Sequence, residues 1–476
     1  MKKTLTILLS LLLVLPASAS QKETEKKDSP VKEHLQNHFK LYGFIRNFFV
    51  YDSRDSKAGT GDLFYYLPLD NKWNTADVNN PAREDLNASP NFRFLALTSR
   101  VAFDVSGYYI NNLHFGAKVE GDFYSGLAAA KTANGLSGNT SVSGTAQARL
   151  RQAYVTLTWK DLPMRNDKTA QLGLKIGQAW HPMAADMPHV FSLEAGAPFG
   201  PFSRTPQVTM DAALGEHWIL SAAAIWQQQY QSAGPDGASA AYMKYACTPE
   251  VYAAVTLKGK EVLFRGGVDV VSIKPRNIGK NADGLTVHVK DRKTSVLGYL
   301  YGQYNHKLLS IKAKTTFGGG GEHMNLMSGY AVVDKTDPTD WKYASMLNSS
   351  SWLSLCYGKK WQGVLYLGYV KNFGLADKVA PGYIESSDVY FCGNGFSNIN
   401  QMYRINPQLL YNLGKFTLGL EYQWTAVQYG DYRKGEYTIN GKQVELTSGL
   451  NALALATENL HWVGNNRVNM MVKFTF

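Results

Sequence analysis

Charged side chains recur at alternate positions inside short apolar segments of this sequence. In the segment 113–123, Lys118 and Glu120 alternate with Val119 and with further apolar residues. Successive side chains of a β-strand point to opposite faces, so such a segment presents one charged face and one apolar face. Charges of both signs around an enclosed space set up a field that orients dipolar solutes and selects ions. The pattern therefore predicts a polar interior that acts on small solutes.

Ten charged residues are our candidates for the wall of this interior. Each lies on the face of its segment that is opposite the apolar side chains, and six of the ten are basic. An excess of basic groups would bias a channel towards anions. The ten candidates are Arg100, Asp104, Lys118, Glu120, Arg265, Asp269, Lys312, Lys314, Arg404 and Glu421.

The sequence offers little for catalysis or metal binding. Hydrolysis by a nucleophilic serine would need that serine next to an oriented histidine, but the histidines here lie mostly in loops or turns and outside any nucleophile motif. His181, His189 and Asp186 form a loose cluster that the polarity of their loop explains. Aspartates in the first long loop match no calcium-binding spacing. We therefore expect no enzymatic activity, no metal and no cofactor.

The last ten residues show most clearly which element positions these side chains. From Arg467 to Phe476 every even position is apolar, and polar residues alternate with them except at Met471. Ten residues is about the length that a tilted strand needs to cross a bilayer. This edge carries no polar tail that would keep it soluble, so we expect it to close a barrel by pairing with the first strand.

Residues 1–19 have the pattern of a secretory signal peptide: two lysines, an apolar run and a small-residue cleavage site. The apolar run is shorter than the about 20 residues of a membrane-spanning helix. We expect residues 20–38 to be a short polar periplasmic segment and residues 39–476 to be the barrel. No later run is long and apolar enough for a helical membrane protein.

Long polar connections alternate with short turns along the rest of the chain. Eight long and seven short connections require about sixteen antiparallel strands. The predicted fold class is all-β, a transmembrane antiparallel barrel with short periplasmic turns and long extracellular loops. The predicted turns are Ser106 to Asn112, Asp161 to Thr169, Gly215 to His217, Lys258 to Lys260, Asn305 to Lys307, Lys359-Lys360 and Leu413 to Lys415.

The third long loop, residues 181–206, is rich in proline and glycine. Such a composition favours a fixed irregular path over a floppy tether. Two interpretations stay open at this point. The loop either folds into the barrel and narrows it, with Arg204 at the constriction, or packs on the outer surface.

Motifs such as Arg149-Leu150-Arg151-Gln152-Ala153-Tyr154 and Arg204-Thr205-Pro206-Gln207 lie between residues 90 and 210. Together with four further motifs they resemble the DcaP-like porins. The resemblance implies a sixteen-stranded trimeric porin for small, often anionic, organic solutes, and it carries over Arg100, Arg149, Arg151 and Arg204 as basic lumen positions. Family members commonly have a longer N-terminal helical region that helps them to trimerise, whereas only residues 20–38 precede the barrel here. The motifs are Asn91-Phe92-Arg93-Phe94, Ser99-Arg100-Val101-Ala102-Phe103, Arg149-Leu150-Arg151-Gln152-Ala153-Tyr154, Gly177-Gln178-Ala179-Trp180, Pro198-Phe199-Gly200 and Arg204-Thr205-Pro206-Gln207.

Two of these arginines break the alternation. Arg149 and Arg151 share the parity of Val155, Leu157 and Trp159, which should face lipid. Either a β-bulge shifts their phase or they lie above the membrane.

These observations predict a passive porin of the bacterial outer membrane, a water-filled channel for small hydrophilic, anion-biased solutes. The partners would be membrane lipid, lipopolysaccharide and, in a possible homotrimer, further copies of the chain. The formal net charge of +11 fits an anionic membrane surface, and no nucleic-acid-binding motif is present. The alternative is a non-conducting barrel whose long loops bind a glycan or a protein. The identity and charge of the solute lie beyond the sequence.

Overall fold

The computed structural model describes most of the chain from His38 to the C-terminus. The expected signal peptide and all but the last residue of segment 20–38 lie outside the described residues. In the described part, no helix is long and apolar enough to cross a membrane. The described ranges are 38–59, 63–96, 98–124, 147–164, 169–377, 388–393, 396–432, 436–439, 442–445 and 456–476.

Strands dominate the structure. Strands β1 to β12 are Phe39–Asp52, Ser56–Gly59, Phe64–Pro68, Asn91–Leu95, Arg100–Ile110, Leu113–Tyr124, Gln147–Pro163, Thr169–Trp180, Arg204–Leu214, Trp218–Ile225, Glu250–Lys258 and Val262–Ile273. Strands β13 to β25 are Ile278–Lys280, Thr286–His288, Lys293–His306, Leu309–Gly318, Gly329–Asp334, Lys342–Gly358, Trp361–Leu375, Val389–Phe391, Ile399–Leu413, Phe416–Tyr432, Glu436–Ile439, Lys442–Glu445 and Ala456–Thr475. Within the described ranges, the helical elements are a short helix, α1 (Ala241–Ala246), and the 3-10 helices Pro182–Ala184 and Glu322–Met324.

Sixteen of these strands form a closed antiparallel barrel, as the sequence predicts. The last strand, β25, pairs with β1 from Phe44 opposite Thr475 to Asp52 opposite Arg467. Strand β4 continues β5 along the second half of β1. Closure removes the free edge that the apolar last strand would otherwise present. The barrel strands are β1, β5 to β12, β15, β16, β18, β19, β21, β22 and β25.

The alternation in the sequence decides which face of the wall each side chain occupies. In β25, Val468 and Met470 are 40 % and 52 % exposed on the outside, whereas Arg467 and Asn469 are 3 % exposed and point inward. Large apolar residues are exposed on nearly every barrel strand. An apolar belt of this extent would be unstable in water and is typical of a surface that faces lipid.

The first predicted turn is wrong, and the structure gives the reason. Strand β5 runs on to Ile110, so that only Asn111 and Asn112 connect it to β6. Asn111 has φ 55°, a conformation that two-residue hairpin turns require and that asparagine tolerates. The polar Ser106-Gly107 pair, which suggested a turn, lies at a register shift between Val105 and Tyr108. It is therefore a bulge inside the strand.

Candidate functional site: the barrel interior

We call residues 181–203, which connect β8 to β9, the inner loop. Wall residues that point inward hold its backbone. The hydroxyl of Tyr366 in β19 donates to the carbonyl of Gly196 over 3.0 Å. The ammonium of Lys314 in β16 donates to the carbonyl of Met183 over 2.6 Å. The inner loop therefore crosses the interior of the barrel and does not pack on its outer surface.

Aromatic side chains seat the inner loop on the wall. Phe199 is fully buried and lies over Gly368 in β19, where a Cβ atom would stand 2.6 Å from the Phe199 Cγ. Phe191 stacks on Phe48 of β1, with 6.3 Å between the ring centroids. Burying a phenylalanine side chain contributes about 1.5–3 kcal/mol. The inner loop thus has an apolar core of its own inside the barrel.

A buried carboxylate anchors the inner loop to two wall arginines. Glu194 is 3 % exposed; its Oε1 accepts from Arg467 Nη1 over 3.0 Å and lies 3.5 Å from Arg404 Nη1. Arg467 also pairs with Asp52 of β1, with 2.8 Å between Nε and Oδ1. Buried charges are costly unless they are paired and hydrogen-bonded. This network therefore fixes where the inner loop meets the wall.

The hairpin β2–β3 is a second segment that enters the barrel. Its Tyr65 carbonyl accepts from Arg467 Nη2 over 3.0 Å, and its Pro68 carbonyl accepts from the Tyr429 hydroxyl over 2.7 Å. Both donors belong to neighbouring strands, β25 and β22. The hairpin and the inner loop together cover the interior face of this side of the barrel.

Five predicted wall residues point inward and are either buried or bonded to the inner loop. Arg404, Glu421 and Asp269 are at most 1 % exposed, and Lys314 is 3 % exposed. Lys312 donates to the carbonyl of Met187 in the inner loop over 3.3 Å. The expectation that these residues line a wet lumen is therefore corrected. The alternation predicted their inward direction, but segments from distant parts of the chain cover them or bond to them.

The opposite side of the interior carries a cluster that we call the arginine wall. It consists of five arginines and two carboxylates on β1, β5, β6, β7 and β9. Arg149 pairs with Asp122 over 2.9 Å, and Arg151 pairs with Asp122 and with Glu120 over 2.7 Å in each case. Arg100 Nη1 lies 3.7 Å from Glu120. Its members are Arg46, Arg100, Glu120, Asp122, Arg149, Arg151 and Arg204.

A β-bulge places Arg149 and Arg151 on the inner face, which decides between the two interpretations of the sequence. The register of β6 and β7 shifts so that Glu120 faces Gln152 whereas Gly121 faces Leu150. Arg151 is the extra residue, and the parity of β7 changes on passing it. Leu150 is accordingly 53 % exposed on the outside.

The arginine wall has more positive than negative charge. In the described part of the chain, no carboxylate lies within ion-pair distance of Arg46 or Arg204. Arg46 Nε donates to Thr98 Oγ1 over 3.4 Å. Arg204 Nε donates to Gln229 Oε1 over 2.9 Å, and its guanidinium lies 5.1 Å from the centroid of a Trp180 ring. Arg100 and Arg149, with side chains 26 % and 23 % exposed, present this charge to solvent.

Two further ion pairs, each with at least one predicted wall residue, lie nearer the short turns. Lys118 Nζ lies 3.1 Å from Asp104 Oδ1. Arg265 Nη1 lies 2.5 Å from Oδ2 of Asp186, a residue of the inner loop. A cavity of about 320 Å³ extends from Arg265 along β7 to β10 and has Lys175 in its lining. Accessible charge thus continues from the arginine wall towards the short-turn end.

Among the charged residues of this interior that the candidate list missed are Arg46, Asp122, Asp186 and Glu194. Asp122 lies on the same face of β6 as the selected Lys118 and Glu120, and Arg46 alternates with Ile45 in β1, so the pattern could have identified both. Asp186 and Glu194 belong to the inner loop, which has no strand period. No local signal in the sequence shows which wall arginines they pair with.

One serine and one histidine meet inside the barrel, but the pair is unsuited to nucleophilic catalysis. His189 Nε2 lies 2.9 Å from Ser310 Oγ, and that hydroxyl also bonds Asn305 over 2.6 Å. Burial, together with nearby Lys312, lowers the pKa of His189 to about 4. Such a histidine is a weak base near neutral pH, and no carboxylate among the described residues contacts it.

Comparison with known proteins places this geometry in context. No protein-family model matches the sequence, and no curated protein matches it either. The crystal structure of the outer membrane channel DcaP of Acinetobacter baumannii superposes with a TM-score of 0.55 at 16 % identity, over 92 % of this chain and 97 % of that one. The fold is that of an outer-membrane channel. An anion-selective porin from Comamonas acidovorans matches 92 % of this chain and 99 % of its own, with a TM-score of 0.46 and 9 % identity.

Proposed function

We propose that this protein is an outer-membrane porin through which small hydrophilic solutes diffuse passively, with a preference for anions. The observation that carries the proposal is the arginine wall, where five arginines face two carboxylates. Arg151 and Arg204 are buried within it, whereas the side chains of Arg100 and Arg149 stay partly exposed. Net positive charge along a narrow water-filled path raises the local concentration of anions and lowers that of cations.

The inserted segments define the course of the path. The inner loop and the hairpin β2–β3 contact β16, β19, β21, β22 and β25, so a solute would pass along β5 to β9. Arg100, Arg149 and Lys118 would meet it there, because their side chains are partly exposed. The carboxylates beside them would give the path a transverse field that orients dipolar solutes.

The sixteen-stranded size of the barrel supports a channel, because barrels of this size leave an aqueous lumen whereas eight-stranded ones fill with side chains. The DcaP structure, which shares the fold, is itself that of an outer membrane channel. We further propose that the protein forms a homotrimer and contacts lipopolysaccharide through its basic loops.

The test is single-channel recording of the purified, refolded protein in a planar bilayer, with the reversal potential measured across a salt gradient. We expect steady openings, in steps of three for a trimer, and a reversal potential with the sign of an anion-preferring channel. Cation preference would contradict the assignment of the arginine wall to the conduction path.

The extent of the inserted segments favours one alternative, a non-conducting barrel that binds a glycan or protein partner with its long loops. Arg404 and Glu421 lie at most 1 % exposed beneath those segments. A folded, heat-modifiable protein that never conducts would support this alternative over the porin, and binding assays with the external loops would then follow.

A further inference from the structure

Four titratable side chains meet in a fully buried cluster at the foot of the inner loop. They are His181 at the start of the loop, Glu250 in β11, Asp269 in β12 and His323 in the 3-10 helix between β16 and β17. None is more than 1 % exposed. Each offers one nitrogen or oxygen, and these four atoms all lie within 4.8 Å of one another. Three separate parts of the barrel interior converge on this point.

The polar atoms of the cluster are poorly satisfied. Both carboxylate oxygens of Asp269 and both ring nitrogens of His323 are buried without a hydrogen-bond partner. His323 Nε2 lies 2.9 Å from Glu250 Oε2, but not in a hydrogen-bonding geometry. A buried carboxylate without a donor or a cation is strongly unfavourable. The cluster therefore needs a neutralising group at its centre.

Nearby cations do not supply that group. Lys293 is paired with Glu322 over 3.0 Å, and Lys314 donates to backbone carbonyls of the inner loop. With both histidines neutral, Glu250 and Asp269 would together carry two negative charges, which a divalent cation balances.

The hydrogen bonds of His181 indicate that it holds Glu250 in place and is not itself a ligand. Its Nδ1 accepts from the backbone N–H of Met183 over 3.1 Å, so in the neutral ring the proton is on Nε2. That nitrogen lies 2.5 Å from Glu250 Oε1 and can donate to it. Carboxylates that bind metals are commonly held in this way by a second residue. Glu250 Oε2, Asp269 and His323 are then free to act as ligands.

We propose that Glu250, Asp269 and His323 bind one divalent cation of the zinc class, with His181 positioning Glu250. Imidazole and carboxylate together suit Zn²⁺ better than Ca²⁺ or Mg²⁺, which prefer oxygen ligands alone. The cation links β11 and β12 to the 3-10 helix, and through His181 it fixes the start of the inner loop. This site does not depend on the proposed function.

The test uses the untagged, refolded chain, because an affinity tag would itself bind metal. The protein is incubated with zinc chloride, dialysed against a weak chelator and analysed for metal by mass spectrometry. We expect about one zinc ion per chain in the wild type. Asp269→Asn and His323→Gln remove a ligand each, and we expect both to lose the ion. The matched control is His461→Gln, since His461 pairs with Asp70 over 2.6 Å at a partly exposed site.

Wild-type protein without zinc would overturn the proposal and would leave a proton shared between Glu250 and Asp269 as the neutralising group. Zinc retained equally by the wild type and both variants would also overturn it, because the ion would then be adventitious. Heat-modifiable migration in gels shows whether each variant is folded. The wild-type measurement decides the question even where a variant does not fold.

Discussion

The two sides of the barrel interior use the same kinds of residue for opposite purposes. On β16 to β25, Arg404 and Arg467 are buried against Glu194 of the inner loop, and their charges hold a segment in place. On β5 to β9, Arg100 and Arg149 pair with wall carboxylates and keep part of their side chains exposed. An inward-pointing arginine is therefore a structural anchor where a loop covers it and a candidate contact for solutes where none does.

The largest effect should follow from removal of the inner loop. Replacing residues 183–202 by a short Gly-Ser linker would uncover the inner face of β16 to β25. We expect the single-channel conductance to rise at least about twofold, because a barrel of this size has an aqueous lumen. The control is a similar replacement of residues 281–285, a largely solvent-exposed connection between β13 and β14. Unchanged conductance would show that the inner loop does not narrow the path.

Charge reversal on the arginine wall should have the next largest effect. We expect Arg100→Glu combined with Arg149→Glu to lower the anion-to-cation permeability ratio by about several-fold, because the local potential changes sign. Reversal potentials in a salt gradient measure this ratio. Lys342→Glu is the matched control, since the Lys342 side chain is 60 % exposed outside the barrel interior.

Neutralising the same two arginines tests whether the effect scales with their charge. Arg100→Gln with Arg149→Gln should give a smaller shift in the same direction. If both pairs of substitutions leave the reversal potential at the wild-type value, the arginine wall lies outside the conduction path.

Loss of the anchoring carboxylate should act on stability. Glu194→Gln keeps the shape of the side chain but removes the negative charge that neutralises Arg404 and Arg467. We expect the free energy of unfolding to fall by about 2–4 kcal/mol. Thermal denaturation of the folded form, followed by gel migration, measures the change, and channel recordings should become noisier. Asp340→Asn breaks an exposed ion pair and should change stability by less than about 1 kcal/mol. Equal melting temperatures for Glu194→Gln and Asp340→Asn would contradict the anchoring role of Glu194.

The smallest effect concerns one close contact. In Gly368→Ala the new methyl group would stand 2.6 Å from the Phe199 Cγ. We expect this overpacking to lower the free energy of unfolding by about 1–3 kcal/mol. Gly363→Ala in the same strand is the control, because nothing lies within 4 Å of its added Cβ. A Gly368→Ala variant as stable as the control would mean that Phe199 does not pack on β19 there.

The direction of side chains along one strand and the positions of most short turns could be predicted from the sequence. The alternation in β25 gave the inward direction of Arg467 and Asn469, and the short turn Gly215 to His217 was placed correctly. A strand has a period of two residues, so the direction of a side chain depends only on its position. The prediction failed at the bulge Ser106-Gly107, and at the bulge Arg151 it left two interpretations open, because a bulge changes the parity without a distinctive composition.

What the sequence by itself determined is the closed antiparallel barrel, its apolar outside and the inward direction of its charges, because these follow from local periodicity and from the need to pair every edge. Only the tertiary structure decided which inward charges meet open space. That outcome depends on contacts between Glu194 and Arg467, or between His181 and Glu250, that join residues far apart in the chain. No local pattern encodes such pairings, because they arise only when the barrel closes around the inner loop.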